Sequence, residues 1–328
     1  MKKLALFFIT IIILSSCDLD VEEYYYSINL VSIGLDYKNT IYPSLSLDGT
    51  INDAREFEKA LNEMCEVKDI SINSYGLYQM GFDRTSDTIE DSTYPSKATV
   101  LYTLEEKIKT IADENSINII FYSGHGTDGG SLVLAITNED GTFSLDDEGS
   151  ISSEQTLSVD EMYEAVENIP GKTVIIADSC YSGNFYQDSV YSLTEDDYSF
   201  AKAFELFFTD DSEESDYSDI YVISAAKSDE ESAEYGYTRK HGYFTKALLE
   251  GMGWCDGKKG ILTYYKIDAL VDEDGIQGIL ADGNPPATSS GILSLDSLVS
   301  YVDENIDENA TQTAQISAWR YDLVLFEY

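Results

Sequence analysis

The sequence predicts an α/β fold: one mostly parallel six-stranded sheet with helices on both faces, an α/β/α sandwich occupying residues 27–328. Three observations carry this. β-rich runs and helical stretches alternate along the chain, the runs are apolar almost continuously instead of at every second residue, and 12% aromatic with 25% charged residues is the composition of an ordered core-forming chain. Continuous apolar runs mark strands buried on both faces, which a parallel sheet between helices requires. The whole stretch reads as one doubly wound domain.

SINLVSIGL (27–35) opens the alternation as a strand, and 52–65 follows with helical spacing. DISINSY (69–75) is the second strand and 98–114 the second helix. INIIFY (117–122) is the third strand. Residues 126–157, rich in Gly, Asp and Ser around SLVLAIT, read as a hairpin, and 158–168 as a helix. KTVIIAD (172–178) and IYVISAA (220–226) are strands four and five. Helices at 242–252 and 294–306 precede YDLVLFEY (321–328), the expected last strand. Residues 186–219 hold eleven acidic residues and one basic residue, Lys202, around a short FAKAFELFF helix, and read as a long loop. Residues 253–293, with Pro285-Pro286, read as an irregular insertion.

MKKLALFFITIIILSSC stands outside that fold. Two lysines, an apolar run from Leu4 to Leu14 and small residues up to Cys17 have the layout of a secretory signal, too short to span a bilayer as a permanent helix. Leu14-Ser15-Ser16-Cys17 resembles a bacterial lipobox. The expectation is a signal peptide over 1–16, a lipidated Cys17, a tether over 17–26, and attachment of the exported protein to a bacterial envelope membrane.

Loss of residues 1–16 leaves 18 basic against 61 acidic residues, a formal charge of −43. Phosphate backbones need basic patches, so nucleic acid is excluded as a partner. Apart from Cys17 the cysteines are Cys65, Cys180 and Cys255, too few for a disulfide scaffold. Cys65 reads as a core residue and Cys255 as a loop residue.

INIIFYSGHG places His125 just past the third strand, and KTVIIADSCYSG places Cys180 just past the fourth. Loops at the carboxyl ends of parallel strands form the ligand crevice, so the topology brings this His and this Cys together. A thiolate attacks a carbonyl, and an imidazole can hold it as an ion pair or take its proton and pass it to the leaving amine. No cofactor is needed. Gly124 and Gly126 permit close backbone approach, and the N–H after the histidine can face an oxyanion. The only other histidine, His241, reads as a capping or surface residue at a helix start.

YSGHG (122–126) with DSCYSG (178–183) resembles the caspase-like cysteine peptidases, in their metacaspase and bacterial orthocaspase branch. LDGTINDAREFEKAL (47–61), ISAAKSDEESAE (223–234), GYFTKALLEG (242–251) and the ending at 312–326 are similar to that branch too. The resemblance implies Cys180 as nucleophile, His125 as general base and acid, and the N–H groups of Gly126 and Cys180 as oxyanion hole. It implies cleavage after Arg or Lys, with Asp53, Asp178 and Ser123 receiving the basic side chain of a peptide or protein substrate. It also implies calcium activation, for which Asp140, Asp146, Asp147 and Asp188 offer oxygen ligands. Tyr181 stands where many members have His, and Ala314 where proline is usual. Two rival readings remain: a catalytically silent caspase-like binding module at the envelope, and a clostripain-like or gingipain-like peptidase.

Overall fold

Seven segments supply most of the central sheet: β1 (Ser27–Leu35), β2 (Ser71–Gln79), β3 (Ile117–Gly126), β4 (Leu132–Val133), β5 (Thr156–Leu157), β6 (Lys172–Tyr181) and β7 (Ile220–Ser224). The computed structural model describes residues 26–38, 46–79, 88–127, 130–135, 151–181, 219–226, 234–235, 240–256, 262–264, 285–306, 310, 312–316 and 323–328, with backbone only at 180–181, 235, 254–256 and 262–264. Across the sheet the order is Gln315–Ile316, β7, β6, β3, β1, β2. The five long strands run parallel, while Gln315–Ile316 lies antiparallel on β7. β4 and β5 extend the sheet from the end of β3, giving eight strands in all. The layered, mostly parallel α/β architecture is the one expected, with eight strands in place of six and the short 132–133 and 156–157 pair inside the predicted hairpin region.

Successive strand residues serve opposite faces. Ile28 and Leu30 of β1, Ile119 and Phe121 of β3, and Val174 and Ile176 of β6 pack on one side. Val31 and Ile33, Ile120 and Tyr122, and Ile175 and Ala177 pack on the other. The first side is covered by helices Thr50–Lys68, Tyr243–Gly251 and Leu295–Asn305, where Phe57 stacks on Phe121 at 4.4 Å. The second is covered by Lys97–Tyr102, its continuation through a π-helical stretch Thr103–Ile108, and Val159–Val166. Start signals are local: Ser96 accepts the N–H of Thr99, and capping boxes pair Ser158 with Glu161 and Ser294 with Ser297.

Three asparagines set the register where β1, β2 and β3 begin. Asn29 is aligned with Asn73 and Asn118. Asn73 donates to Asn29 (2.9 Å), Asn29 to Asn118 (2.8 Å), and Asn118 to the carbonyl of Pro170 (2.9 Å). A one-residue slip would strand these amides without partners.

The structure corrects several expected boundaries. β2 runs to Gln79 because it pairs with β1 along its whole length. β3 and β6 run through Gly126 and Tyr181, so His125 and Cys180 lie within strands and not past them. Val324–Glu327 does not join the main sheet; it pairs antiparallel with Ile292–Ser294, because Gln315–Ile316 already covers the free edge of β7. Tyr26, the last residue of the expected tether, packs against the core and donates to Leu325 O (2.6 Å). Cys255 lies in a short antiparallel pair, Trp254–Asp256 with Leu262–Tyr264, not in a loop.

Candidate active site

Parallel pairing of β3 with β6 aligns Ser123 with Asp178, Gly124 with Ser179, His125 with Cys180, and Gly126 with Tyr181. Paired strands lie about 4.8 Å apart, so the backbone alone brings the first and third residues of SGHG, Ser123 and His125, beside the second and fourth of ADSCY, Asp178 and Cys180. These are the carboxyl ends of two adjoining central strands, where a parallel sheet forms its crevice. Gly126 also pairs with Leu132 of β4, which closes that end of β3.

His125 is buried and held by two tyrosines. Its N–H donates to Tyr37 Oη (3.0 Å) and its carbonyl accepts from Tyr122 Oη (2.6 Å). The two hydroxyls are 3.0 Å apart, and that of Tyr37 lies 2.6 Å from Val133 O. The Tyr37 ring is tilted 37° to the imidazole with centroids 4.6 Å apart. Gly124 is needed for this approach, since a Cβ there would sit 2.5 Å from Tyr122 Oη and 2.6 Å from Tyr37 Oη.

Asp53 occupies the first turn of helix Thr50–Lys68 and is 1% exposed. One oxygen accepts from His241 Nδ1 (2.9 Å), the other from Ser123 Oγ (2.9 Å), and the Gly242 N–H reaches both (3.2 and 3.1 Å). Burial holds this carboxyl above the usual carboxylate range, against the opposing pull of His241, Gly242 and Ser123. Asp178, also buried, accepts from the Thr245 N–H (3.2 Å) and the Thr245 hydroxyl, at the start of helix Tyr243–Gly251. Gly242 lies between the two acids. Its N–H serves Asp53, and a Cβ on it would fall 2.3 Å from Asp178 Oδ2. Both acids therefore border Gly242, and Ser123, aligned with Asp178, bonds Asp53.

His241 is not a surface residue. It is 5% exposed and supplies Asp53 with its imidazole donor. Lys240, one residue earlier, bonds Asp48 (2.7 Å), which also holds Lys38 (2.9 Å); these two ammonium groups pull the Asp48 carboxyl down to about 2. Glu234 takes the N–H groups of Asp48 (2.7 Å) and Gly49 (2.6 Å), closing the start of the helix from a distant part of the chain. His241 and Tyr37 carry no motif of their own, and although Tyr122 opens YSGHG and Gly242 and Thr245 fall in GYFTKALLEG, only packing reveals what these residues hold.

A family model of the caspase domain matches residues 37–322. This chain belongs to the caspase-domain family. That family is one of cysteine peptidases, which act on protein substrates. Among solved structures, caspase-1 from Spodoptera frugiperda aligns at 10% identity over 90% of this chain and 88% of its own, with a TM-score of 0.43. Raptor from Chaetomium thermophilum aligns at 12% identity over 68% of this chain and 17% of its own, with a TM-score of 0.37. No curated protein matches the chain in sequence.

In this caspase-domain chain Cys65 is a core thiol, pushed up to about 12 by burial. The candidate calcium ligands Asp140, Asp146, Asp147 and Asp188, the lipidation candidate Cys17, and Lys202 lie outside the described residues. Among the described residues no group of three His, Cys, Asp or Glu side chains is placed to hold a metal, and no helix is long and apolar enough to cross a membrane.

Proposed function

We propose that the chain is a cysteine endopeptidase, exported and anchored through acylated Cys17, that cleaves after Arg or Lys. The observation that carries the reading is the alignment of His125 with Cys180 on adjoining parallel strands. In this mechanism His125 takes the thiol proton and the Cys180 sulfur attacks the scissile carbonyl carbon. The oxyanion forms against the N–H groups of Gly126 and Cys180. Collapse breaks the C–N bond, and His125 returns the proton to the leaving amine. Water, deprotonated by the same imidazole, then hydrolyses the thioester.

Basic selectivity is supported by Ser123 and Asp178, aligned two residues before the dyad positions of their strands, and by Asp53, which the Ser123 hydroxyl reaches from β3. Charge-assisted hydrogen bonds to a guanidinium or ammonium are about twice as strong as neutral ones. Asp53 has its acceptor sites filled by His241, Gly242 and Ser123.

The test uses the soluble chain from residue 26 onward with fluorogenic peptides bearing Arg, Lys or Asp before the scissile bond. Hydrolysis of the first two, absent in Cys180→Ala and His125→Ala, is the expected result. Asp178→Asn should lower kcat/KM for the Arg peptide by roughly thirtyfold or more, the cost of breaking one buried charge pair. No turnover and no labelling by a basic covalent probe would favour the binding-module reading. Turnover with Asp preferred would remove the pocket assignment and leave the dyad. For the anchor, Cys17→Ser should move the full-length protein from the membrane to the soluble fraction.

A further inference from the structure

We propose that Tyr37 is the positioning residue for His125, setting the orientation of the imidazole for proton transfer with Cys180; this rests on the peptidase reading. Four observations converge on it. The Tyr37 hydroxyl accepts the backbone N–H of the very residue that carries the imidazole (3.0 Å), and it is anchored in turn against Val133 O (2.6 Å). The Tyr37 ring lies 4.6 Å from the imidazole ring, close enough for its electron-rich face to favour the imidazolium that pairs with a thiolate. Gly124, inside the SGHG motif, leaves room for this hydroxyl where any side chain would collide with it.

The fourth observation is backbone strain. Tyr37 has φ +50°, a left-handed conformation that a bulky L-residue adopts only when its surroundings hold it there. Those surroundings belong to β2: Gln79 Oε1 accepts the Tyr37 N–H (2.9 Å), and the Gln79 carbonyl accepts that of Asp36 (3.3 Å). A core tyrosine needs one partner for its hydroxyl and no strain. Here the strain delivers both ring and hydroxyl to one residue, 88 positions away in sequence.

The experiment compares wild type, Tyr37→Phe, Tyr37→Leu and His125→Ala. Phenylalanine keeps the ring and loses the hydroxyl; leucine loses both. With active sites counted by a covalent inhibitor, kcat per site should fall about tenfold in Tyr37→Phe and further in Tyr37→Leu, with KM changed less than twofold. In parallel, alkylation of Cys180 by iodoacetamide is followed against pH, which needs no turnover. Wild type should react in the acid range, His125→Ala like an ordinary thiol near pH 8.5, and Tyr37→Phe in between. A Tyr37→Phe profile and kcat per site equal to wild type, even with a lowered melting temperature, would overturn the proposal and leave a structural tyrosine. A wild-type profile equal to His125→Ala would overturn it together with the dyad. A wild type that shows the acid shift without cleaving any peptide would sink the peptidase reading alone.

Discussion

Cys65 and Cys180 stand at different places in the fold. Cys65 is sealed in the core with its thiol pushed up to about 12, whereas Cys180 stands beside His125 at the carboxyl end of a strand. Iodoacetamide at pH 8 should therefore modify Cys180 and spare Cys65 in the native protein, with both modified in urea; peptide mass mapping reads the outcome, and native labelling of Cys65 would contradict its burial. His241 makes a second residue-scale case. Its removal in His241→Ala takes a donor from a carboxylate that is 1% exposed, a loss of roughly 1.5–3 kcal/mol for a hydrogen bond to a charged group. The urea midpoint should fall accordingly, and an unchanged midpoint would show that Asp53 does not depend on the imidazole.

At the scale of elements, the asparagine row across β1, β2 and β3 ties register to hydrogen bonding. Asn29→Ala and Asn118→Ala each leave a neighbouring amide short of a partner, at about 1–3 kcal/mol apiece. Because both break the same 2.8 Å bond, the double variant should lose less than the sum, which a double-mutant cycle in urea measures directly. Residues Lys240 to Gly242 are held at the start of helix Thr50–Lys68 by polar contacts of another kind, to Asp48 just before it and Asp53 in its first turn. Asp48 is pulled down to about 2 by Lys240 and Lys38. Its folded value lies below the unfolded one, so its contribution is present above about pH 4 and vanishes as the pH falls through 2. The side chains are half exposed, which keeps the effect under about 1 kcal/mol. Stability of Asp48→Asn should trail wild type at pH 6 and meet it at pH 2; a constant gap would rule out the titration.

For the whole molecule the dominant fact is a formal charge of −41 on 328 residues. Such an excess repels itself most strongly in the compact state, and the repulsion reaches about 30 Å at 0.01 M salt but only about 3 Å at 1 M. Melting temperature should rise by several degrees between 10 mM and 500 mM NaCl. Millimolar calcium at fixed ionic strength should add to that rise and increase turnover if the acidic segments bind it specifically; equal effects of calcium and matched NaCl would leave only general screening.

The order of strands and helices was legible because burial on both faces writes continuous apolar runs, and because glycine-flanked strand ends are local signals. The glycine-flanked strand ends picked out His125 and Cys180, and the family resemblance added Asp53 and Asp178, before any contact was known. What the chain could not spell out was distance in space. Only the pairing of β3 with β6 sets His125 level with Cys180 inside the strands, and only packing brings His241 to Asp53 across 188 positions and Tyr37 to His125 across 88. The terminal Val324–Glu327 went to Ile292–Ser294 for a similar reason: an apolar strand can satisfy its hydrogen bonds at any free edge, and which edge remains free is decided by the elements already in place.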